Sequence, residues 1–172
     1  MKIRIAEISD ANEIANIYNH YITESTITFE ESTVSVNQMK ERIETLLGSG
    51  FPWIVLEGDS KIIGYAYASP WNSRTAYRFT VESTIYLDPQ ASGKGNGRRL
   101  YTNLLNRLYK QEIRNVMGVI ALPNPSSIAL HESLGFNKVG EFSNIGFKFE
   151  REISVGYWQL EQMPNKLLNK DS

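Results

Sequence analysis

Residues 79–122 narrow the choice of folds for this 172-residue chain more than any other stretch. A run rich in β-branched and aromatic residues (79–87) leads into PQASGKGNGRRLY (89–101), whose glycines fall at every second position. Leu100, Leu104, Leu105 and Leu108 then carry a helical stripe from about residue 95 to 111, and NVMGVIAL (115–122) has the composition of a buried strand. The pattern predicts a strand, glycine loop, helix and strand in succession, a β-loop-α-β crossover. Glycines before a helix start let another group approach bare amides at the positive end of the helix dipole, which suits an anion. Two phosphate motifs fail on spacing. The single Gly-Lys pair, Gly93 and Lys94, is followed by Gly95 with no glycine five positions earlier, and Leu100 stands where a dinucleotide fingerprint needs its third glycine.

Around this unit the periodicities give a mixed α/β domain. Residues 2–7 alternate as a strand, Ser9 and Asp10 are expected to cap a helix striped by Ile14, Ile17, Tyr18, Tyr21 and Ile22, and Ser35 with Gln38 forms a capping box for a helix carrying Met39, Ile43, Leu46 and Leu47. Two runs at 53–57 and 61–68 flank Gly58-Asp59-Ser60 as a hairpin, and an antiparallel meander with 79–87 is the simplest arrangement. Ser126 or Ser127 is expected to cap a short helix stopping at Gly135, two strands follow (137–149 and 154–160), and the polar tail 163–172 should fray. The order is β-α-α-β-β-β-α-β-α-β-β in one domain over 1–162.

Charge and composition exclude several functions. With 18 basic against 19 acidic residues the net charge is -1, so no global field favours nucleic acid or an anionic membrane, and partners should be small molecules or protein. There is no cysteine for a disulfide, a thiolate metal site or a nucleophile, and two distant histidines, His20 and His131, make no metal site; His20 reads as structural. MKIRIAEISDANE has no apolar signal core and no later run reaches membrane-span length, so a cytoplasmic protein is expected.

The combination VESTIYL, a glycine loop entering a helix, and Asn124 before a short helix ending LGF resembles the GNAT superfamily of N-acetyltransferases, whose loop reads [QR]-x-x-G-x-[GA]. Gly95 and Gly97 match its two glycines, while Ser92 stands in place of Gln or Arg. IYNHYI, SPWNSRTAY, ALPNPSSIALHESLGF, GFK and VGYWQL, spread over residues 5–160, are similar to the phosphinothricin acetyltransferase branch. That resemblance implies a central, mostly antiparallel twisted sheet splayed at the cofactor site, acetyl-CoA as co-substrate without a metal, transfer to the α-amino group of a small amino acid or analogue, and a homodimer.

It also assigns residues. Gly93, Lys94, Gly95, Asn96, Gly97 and Arg98 would hold the coenzyme A pyrophosphate, with Arg99 adding charge. The backbone of Ile85, Tyr86 and Leu87 would pair with the pantetheine arm and supply an oxyanion donor, and Asn124 would hydrogen-bond that arm. By period two, Glu82, Thr84 and Tyr86 share one strand face. An exposed sheet face is the commoner explanation of a lone strand carboxylate, whereas the resemblance makes Glu82 the general base and His131 the acid or thiolate stabiliser. Arg74 and Tyr77 match the branch's acceptor positions, and Phe29 and Lys148 are further candidates. A polyamine or protein N-terminus as acceptor, or a non-catalytic acyl-CoA sensor, are the alternatives. Arg74 and Arg78 argue against a polyamine, and Glu82 together with His131 argues against a sensor.

Overall fold

Trp53, Ile54, Val55 and Leu56 are all buried, so the strand they form, β2 (Trp53–Gly58), is covered on both faces. Its side chains alternate between two cores. Trp53 and Val55 join one cluster with α1 (Ala11–Glu24) and α2 (Val36–Gly48), whereas Ile54 and Leu56 join a second with α3 (Asn96–Lys110). The result is a sheet between two helical layers. The computed structural model describes residues 1–59 and 61–162, and the expected fraying of the polar tail lies outside them.

The sheet has seven strands in the order β1-β2-β3-β4-β5-β7-β6, with β1 at Lys2–Ile5, β3 at Lys61–Pro70, β4 at Thr80–Leu87, β5 at Asn115–Ala121, β6 at Asn137–Lys148 and β7 at Arg151–Glu161. The expected meander is present, with β2, β3 and β4 pairing antiparallel in succession. The crossover through α3 makes β4 and β5 the one parallel pair among the described residues, since a parallel return needs a long connection. The last two strands fold as a hairpin whose second member, β7, pairs with β5 and leaves β6 as the edge. A short helix, α4 (Pro125–Ser133), connects β5 to that hairpin.

Two expected caps are corrected. Asp10 sits at the N-cap of α1 without capping it: its oxygens accept from Arg4 at 2.7 and 2.8 Å and from the Glu7 amide at 2.8 Å. A charge-assisted bidentate pair outweighs one helix amide as a partner for a buried carboxylate. The cap of α4 is Asn124, whose Oδ1 accepts from Ser127 N at 3.1 Å, not Ser126 or Ser127. Pro125 is tolerated at the first helical position because it has no N–H to satisfy. The capping box of α2 forms as expected, with Ser35 N donating to Gln38 at 2.8 Å and Gln38 N to Ser35 at 3.2 Å.

Arg4 also donates to Glu57 at 2.9 Å, so Asp10 and Arg4 tie the start of α1 to both β1 and β2. Asp10→Ala removes one partner from a largely buried pair and should lower unfolding stability by about 1–3 kcal/mol. Urea titration followed by circular dichroism measures it, and an unchanged midpoint would contradict the tie.

Candidate active site

The parallel pairing of β4 with β5 lasts three residue pairs, Thr80 with Asn115, Val81 with Val116 and Glu82 with Met117. Beyond them β4 follows β3 as far as Leu87, and β5 follows β7 as far as Ala121. The strands therefore part, and residues 83–87 have no β5 partner. A cavity of about 280 Å³ opens at the fork, with Glu82, Ser83, Thr84 and His131 in its wall. A second of about 500 Å³ reaches the glycine loop. Ile27, Ile85, Tyr86, Asn124 and Ser127 line both, so the two adjoin along the exposed edge of β4.

At the loop end, Gly93 and Gly95 take φ of +74° and +77°, a region that side chains with a Cβ rarely enter. Gly95 is the N-cap of α3 and makes no side-chain cap, and the first bond to its carbonyl comes from Arg99 N at 3.1 Å. The amides of Asn96, Gly97 and Arg98 are the orphan donors of the first turn and carry the positive dipole end. Asn96 is buried and donates from Nδ2 to Ala91 O at 3.0 Å, which closes the loop upon itself. Ser92, Gly93, Gly95, Gly97 and Arg98 line the cavity; Arg98 also donates to Ser133 O at 3.0 Å, and Lys94 projects to solvent. This end offers unpaired backbone donors at the positive end of a helix dipole, the chemistry that suits a phosphate-like anion. Asn124 lines both cavities, and with its Oδ1 engaged by the α4 cap its Nδ2 makes no bond among the described residues.

His131 is 4% exposed, and both ring nitrogens have partners: Nδ1 lies 2.7 Å from Ser127 O, and Nε2 lies 3.0 Å from the Tyr101 hydroxyl. A carbonyl only accepts, so Nδ1 carries a proton. In the neutral ring Nε2 then accepts from Tyr101, whose oxygen takes the Ser83 proton across 2.6 Å. When the ring is charged the chain reverses: Nε2 donates to Tyr101, Tyr101 to Ser83, and Ser83 to Met117 O at 3.1 Å. Either charge state is thus fully hydrogen-bonded. Burial pushes the imidazole pKa below its ordinary value, against an upward pull from Ser127 O. Gly118 makes room for the ring, since a methyl group there would lie 2.6 Å from Nε2 and Cδ2.

Glu82 completes the fork. Its half-buried carboxylate makes no hydrogen bond or ion pair among the described residues, and burial raises its pKa above the ordinary carboxylate value. Around it the wall is rich in hydroxyls, from Thr84, Tyr67, Tyr86, Tyr18 and Thr28. Tyr18 and Thr28 share a bond of 2.8 Å, Tyr18 also donates to Glu30 at 2.9 Å, and Glu30 is held by Arg42 at 2.7 and 3.0 Å. Burial pushes the Tyr18 phenol up to about 12, so it is a neutral donor at ordinary pH.

A carboxylate at a strand fork, an open strand edge and a bare helix start, along two adjoining cavities, coincide with a match of residues 3–155 to the acetyltransferase (GNAT) domain. The chain belongs to the GNAT acetyltransferase family. It is 38% identical to the phosphinothricin N-acetyltransferase of Streptomyces viridochromogenes, covering 92% of this chain and 86% of that one. It is 32% identical to the L-methionine sulfoximine/L-methionine sulfone acetyltransferase of Salmonella typhimurium, covering 94% of each. Among solved structures, the phosphinothricin acetyltransferase of Sinorhizobium meliloti in complex with acetyl-CoA superposes with a TM-score of 0.90 at 37% identity, covering 99% of this chain and 96% of that one.

Within this GNAT fold, the fork gathers Glu82, His131, Ile85, Tyr86, Leu87, Asn124 and Phe29 with the loop glycines. Of the expected cofactor residues Lys94 and Asn96 stand outside both cavity walls, as does Arg99, and so do three of the expected acceptor residues. Arg74 and Tyr77 are exposed on the loop after Trp71, and Lys148 is buried with its Nζ on Thr28 O at 2.8 Å. Conversely, Tyr18, Tyr67, Ser83 and Tyr101 belong to the site although sequence reasoning passed over them as sites. Tyr18 sat in an apolar helical stripe, and Tyr67 reaches the site because it stands opposite Thr84 in the β3–β4 register. Period two put Ser83 on the strand face opposite Glu82, a placement that hid its bond to Tyr101. Among the described residues no group of His, Asp and Glu could hold a metal ion, and no helix is long and apolar enough to cross a membrane.

A proton NMR titration of His131 should give a midpoint below the ordinary histidine value near 6.5. A midpoint at or above that value would contradict the buried, neutral imidazole.

Proposed function

We propose that this protein transfers the acetyl group of acetyl-CoA to the α-amino group of a small amino acid or analogue of the phosphinothricin, methionine sulfoximine or methionine sulfone type, by direct transfer in a ternary complex. The carrying observation is the unpartnered Glu82 carboxylate at a fork whose cavity adjoins that of the glycine loop. The names of the relatives at 38% and 32% identity support the acceptor class. The adjoining cavities fit acetyl-CoA in their donor set: orphan amides at the α3 start for the pyrophosphate, the open edge of β4 at Ile85, Tyr86 and Leu87 for the pantetheine amides, and the unbonded Nδ2 of Asn124.

Acetyl-CoA supplies the acyl group activated as a thioester. Glu82 accepts a proton from the acceptor's ammonium, directly or through water, which frees the amine lone pair for attack. A β4 amide beyond the fork donates to the carbonyl oxygen as negative charge develops there. As the C–S bond breaks, the attacking nitrogen gives up its second proton, which neutralises the departing thiolate. His131, with both ring nitrogens engaged, acts on that thiolate only through charge, and its hydroxyl chain with Tyr101 and Ser83 accommodates either charge on the ring. The hydroxyls of Tyr67, Thr84 and Tyr86 suit the oxygen-rich tail of such acceptors, while Tyr18 donates its proton to Glu30. N-acetylation removes the acceptor's positive charge, so toxic analogues would be inactivated, as in herbicide resistance, by a protein working in the cytoplasm.

The working form is a homodimer in this reading. Val139, Phe142, Ile145, Phe147 and Phe149, each at least 50% exposed, put an apolar stripe along the edge hairpin, larger than a solvated strand face needs. Phe142 meets Tyr157 edge-on at 5.4 Å, and Tyr157 meets Trp71 at 6.4 Å, so the stripe continues to the base of the loop that carries Arg74 and Tyr77. A second copy on the stripe would adjoin that loop and bring its cation and phenol into the acceptor site.

Thiol release from acetyl-CoA, read by disulfide exchange, tests the reaction without background from a cysteine-free protein. Release should depend on the amino-acid analogues and not on a polyamine or a peptide, and the reverse pattern overturns the acceptor class. Glu82→Gln should lower kcat by about 10²-fold or more with acetyl-CoA affinity unchanged. Because the Glu82 pKa is raised, parent activity should fall, as pH drops, at a pH above the ordinary carboxylate range, and that limb should vanish in the variant. Superimposable pH profiles would remove Glu82 from the base role.

The dimer is checked by light scattering. Phe142→Asp with Phe147→Asp should convert it to a monomer and raise the acceptor KM, whereas a parent that is monomeric at assay concentration rejects it.

A further inference from the structure

A buried ammonium with one protein acceptor stands behind the acceptor wall. Lys148 ends β6 and is the one buried residue of that strand, at 1% exposure. Its Nζ donates to Thr28 O at 2.8 Å and lies 5.0 Å from the Phe149 ring, and it forms no ion pair among the described residues. Withdrawing an ammonium from water without a counter-ion is costly, and burial lowers its pKa against a weaker upward pull from Glu31. An apolar residue would fill that place at lower cost, so the bond to Thr28 O needs a reason.

Thr28 lies between Ile27 and Phe29, and all three line the cavity at Glu82. On one side the Thr28 hydroxyl is fixed by Tyr18, itself fixed through Glu30 by Arg42. On the other, β6 holds the segment twice. Lys148 takes the Thr28 carbonyl, and Gly146 lies flat against the Phe29 ring, where a methyl group would overlap it. Lys148 is in the wall of neither cavity of the site, and its contact with the acceptor wall runs through Thr28 and the adjoining Phe29.

We infer that Lys148 is a positioning residue for the acceptor: its ammonium latches the wall formed by Ile27, Thr28 and Phe29 to the end of β6, beside the seat that Gly146 gives the Phe29 ring. The inference rests on the proposed function in taking this cavity as the acceptor site. A latch predicts a loss shared by all acceptors. A direct ion pair would instead penalise an anionic tail, such as the phosphinate of phosphinothricin, far more than the neutral sulfone of methionine sulfone.

The test is made on the full chain with Lys148→Met, and with Gly146→Ala as a second route to the same wall through Phe29. Hydrogen exchange should quicken in residues 25–34 of Lys148→Met while acetyl-CoA still binds. The acceptor KM of each variant should rise on the order of 10-fold, alike for methionine sulfone and phosphinothricin, with kcat and the acetyl-CoA KM within about 2-fold of the parent. Unchanged exchange in a folded Lys148→Met protein overturns the latch, as does a KM increase confined to phosphinothricin or a fall in kcat alone. Should Lys148→Met not fold, an unaltered acceptor KM in Gly146→Ala overturns it instead. If the parent turns over no amino-acid acceptor, the acceptor reading fails, while the exchange rates still decide the latch.

Discussion

The parting of β4 from β5 after Glu82 and Met117 is the constraint on which the rest depends. A sheet interior that stops pairing exposes backbone donors and acceptors, and each one left buried and unsatisfied is costly. Here the fork is wedged by side chains: His131 presses into the space left by Gly118, and Ser83 hydrogen-bonds Tyr101 and lies within reach of the Met117 carbonyl. The edge that remains open is a template for another extended amide chain. The glycine loop follows directly from β4, so a bare helix start lies at the far end of the same edge.

Electrostatics at the fork follow from what is kept away from it. An arginine or lysine beside Glu82 would stabilise its charge and draw its pKa down, making it a weaker base. Two cations anchored around the acceptor wall are held by other partners: Arg42 pairs with Glu30, and Lys148 donates to the Thr28 carbonyl. Burial is then the only cause acting on Glu82, and it acts upward. The neutral hydroxyls around the carboxylate offer hydrogen bonds to a substrate without that cost.

Much of this was legible in sequence because it is local. The alternation of 79–87, the glycine spacing and the leucine stripe of α3 each lie within about twenty residues, and backbone sterics and periodicity act over that range. The Ser35 capping box was readable for the same reason, being a contact between residues three apart. The cap of α1 was misread because the competing partner of Asp10 is Arg4, which belongs to the neighbouring strand. At the site, Glu82 and His131 were reached through family likeness. Tyr67, Ser83 and Tyr101 were not, since their roles depend on register and on the crossing of α3 over the sheet.

By itself the sequence determined the element order, the β-loop-α-β crossover and the glycine loop suited to an anion, all consequences of short-range periodicity and of glycine's access to positive φ. Only the tertiary structure decided that β7 inserts between β5 and β6, that β4 and β5 separate after three pairs, and that the end of β6 returns to grip Thr28 from 120 residues away. Those outcomes rest on pairings between distant segments, whose free energies come from burial and hydrogen bonding across the fold and leave no periodic trace in either partner.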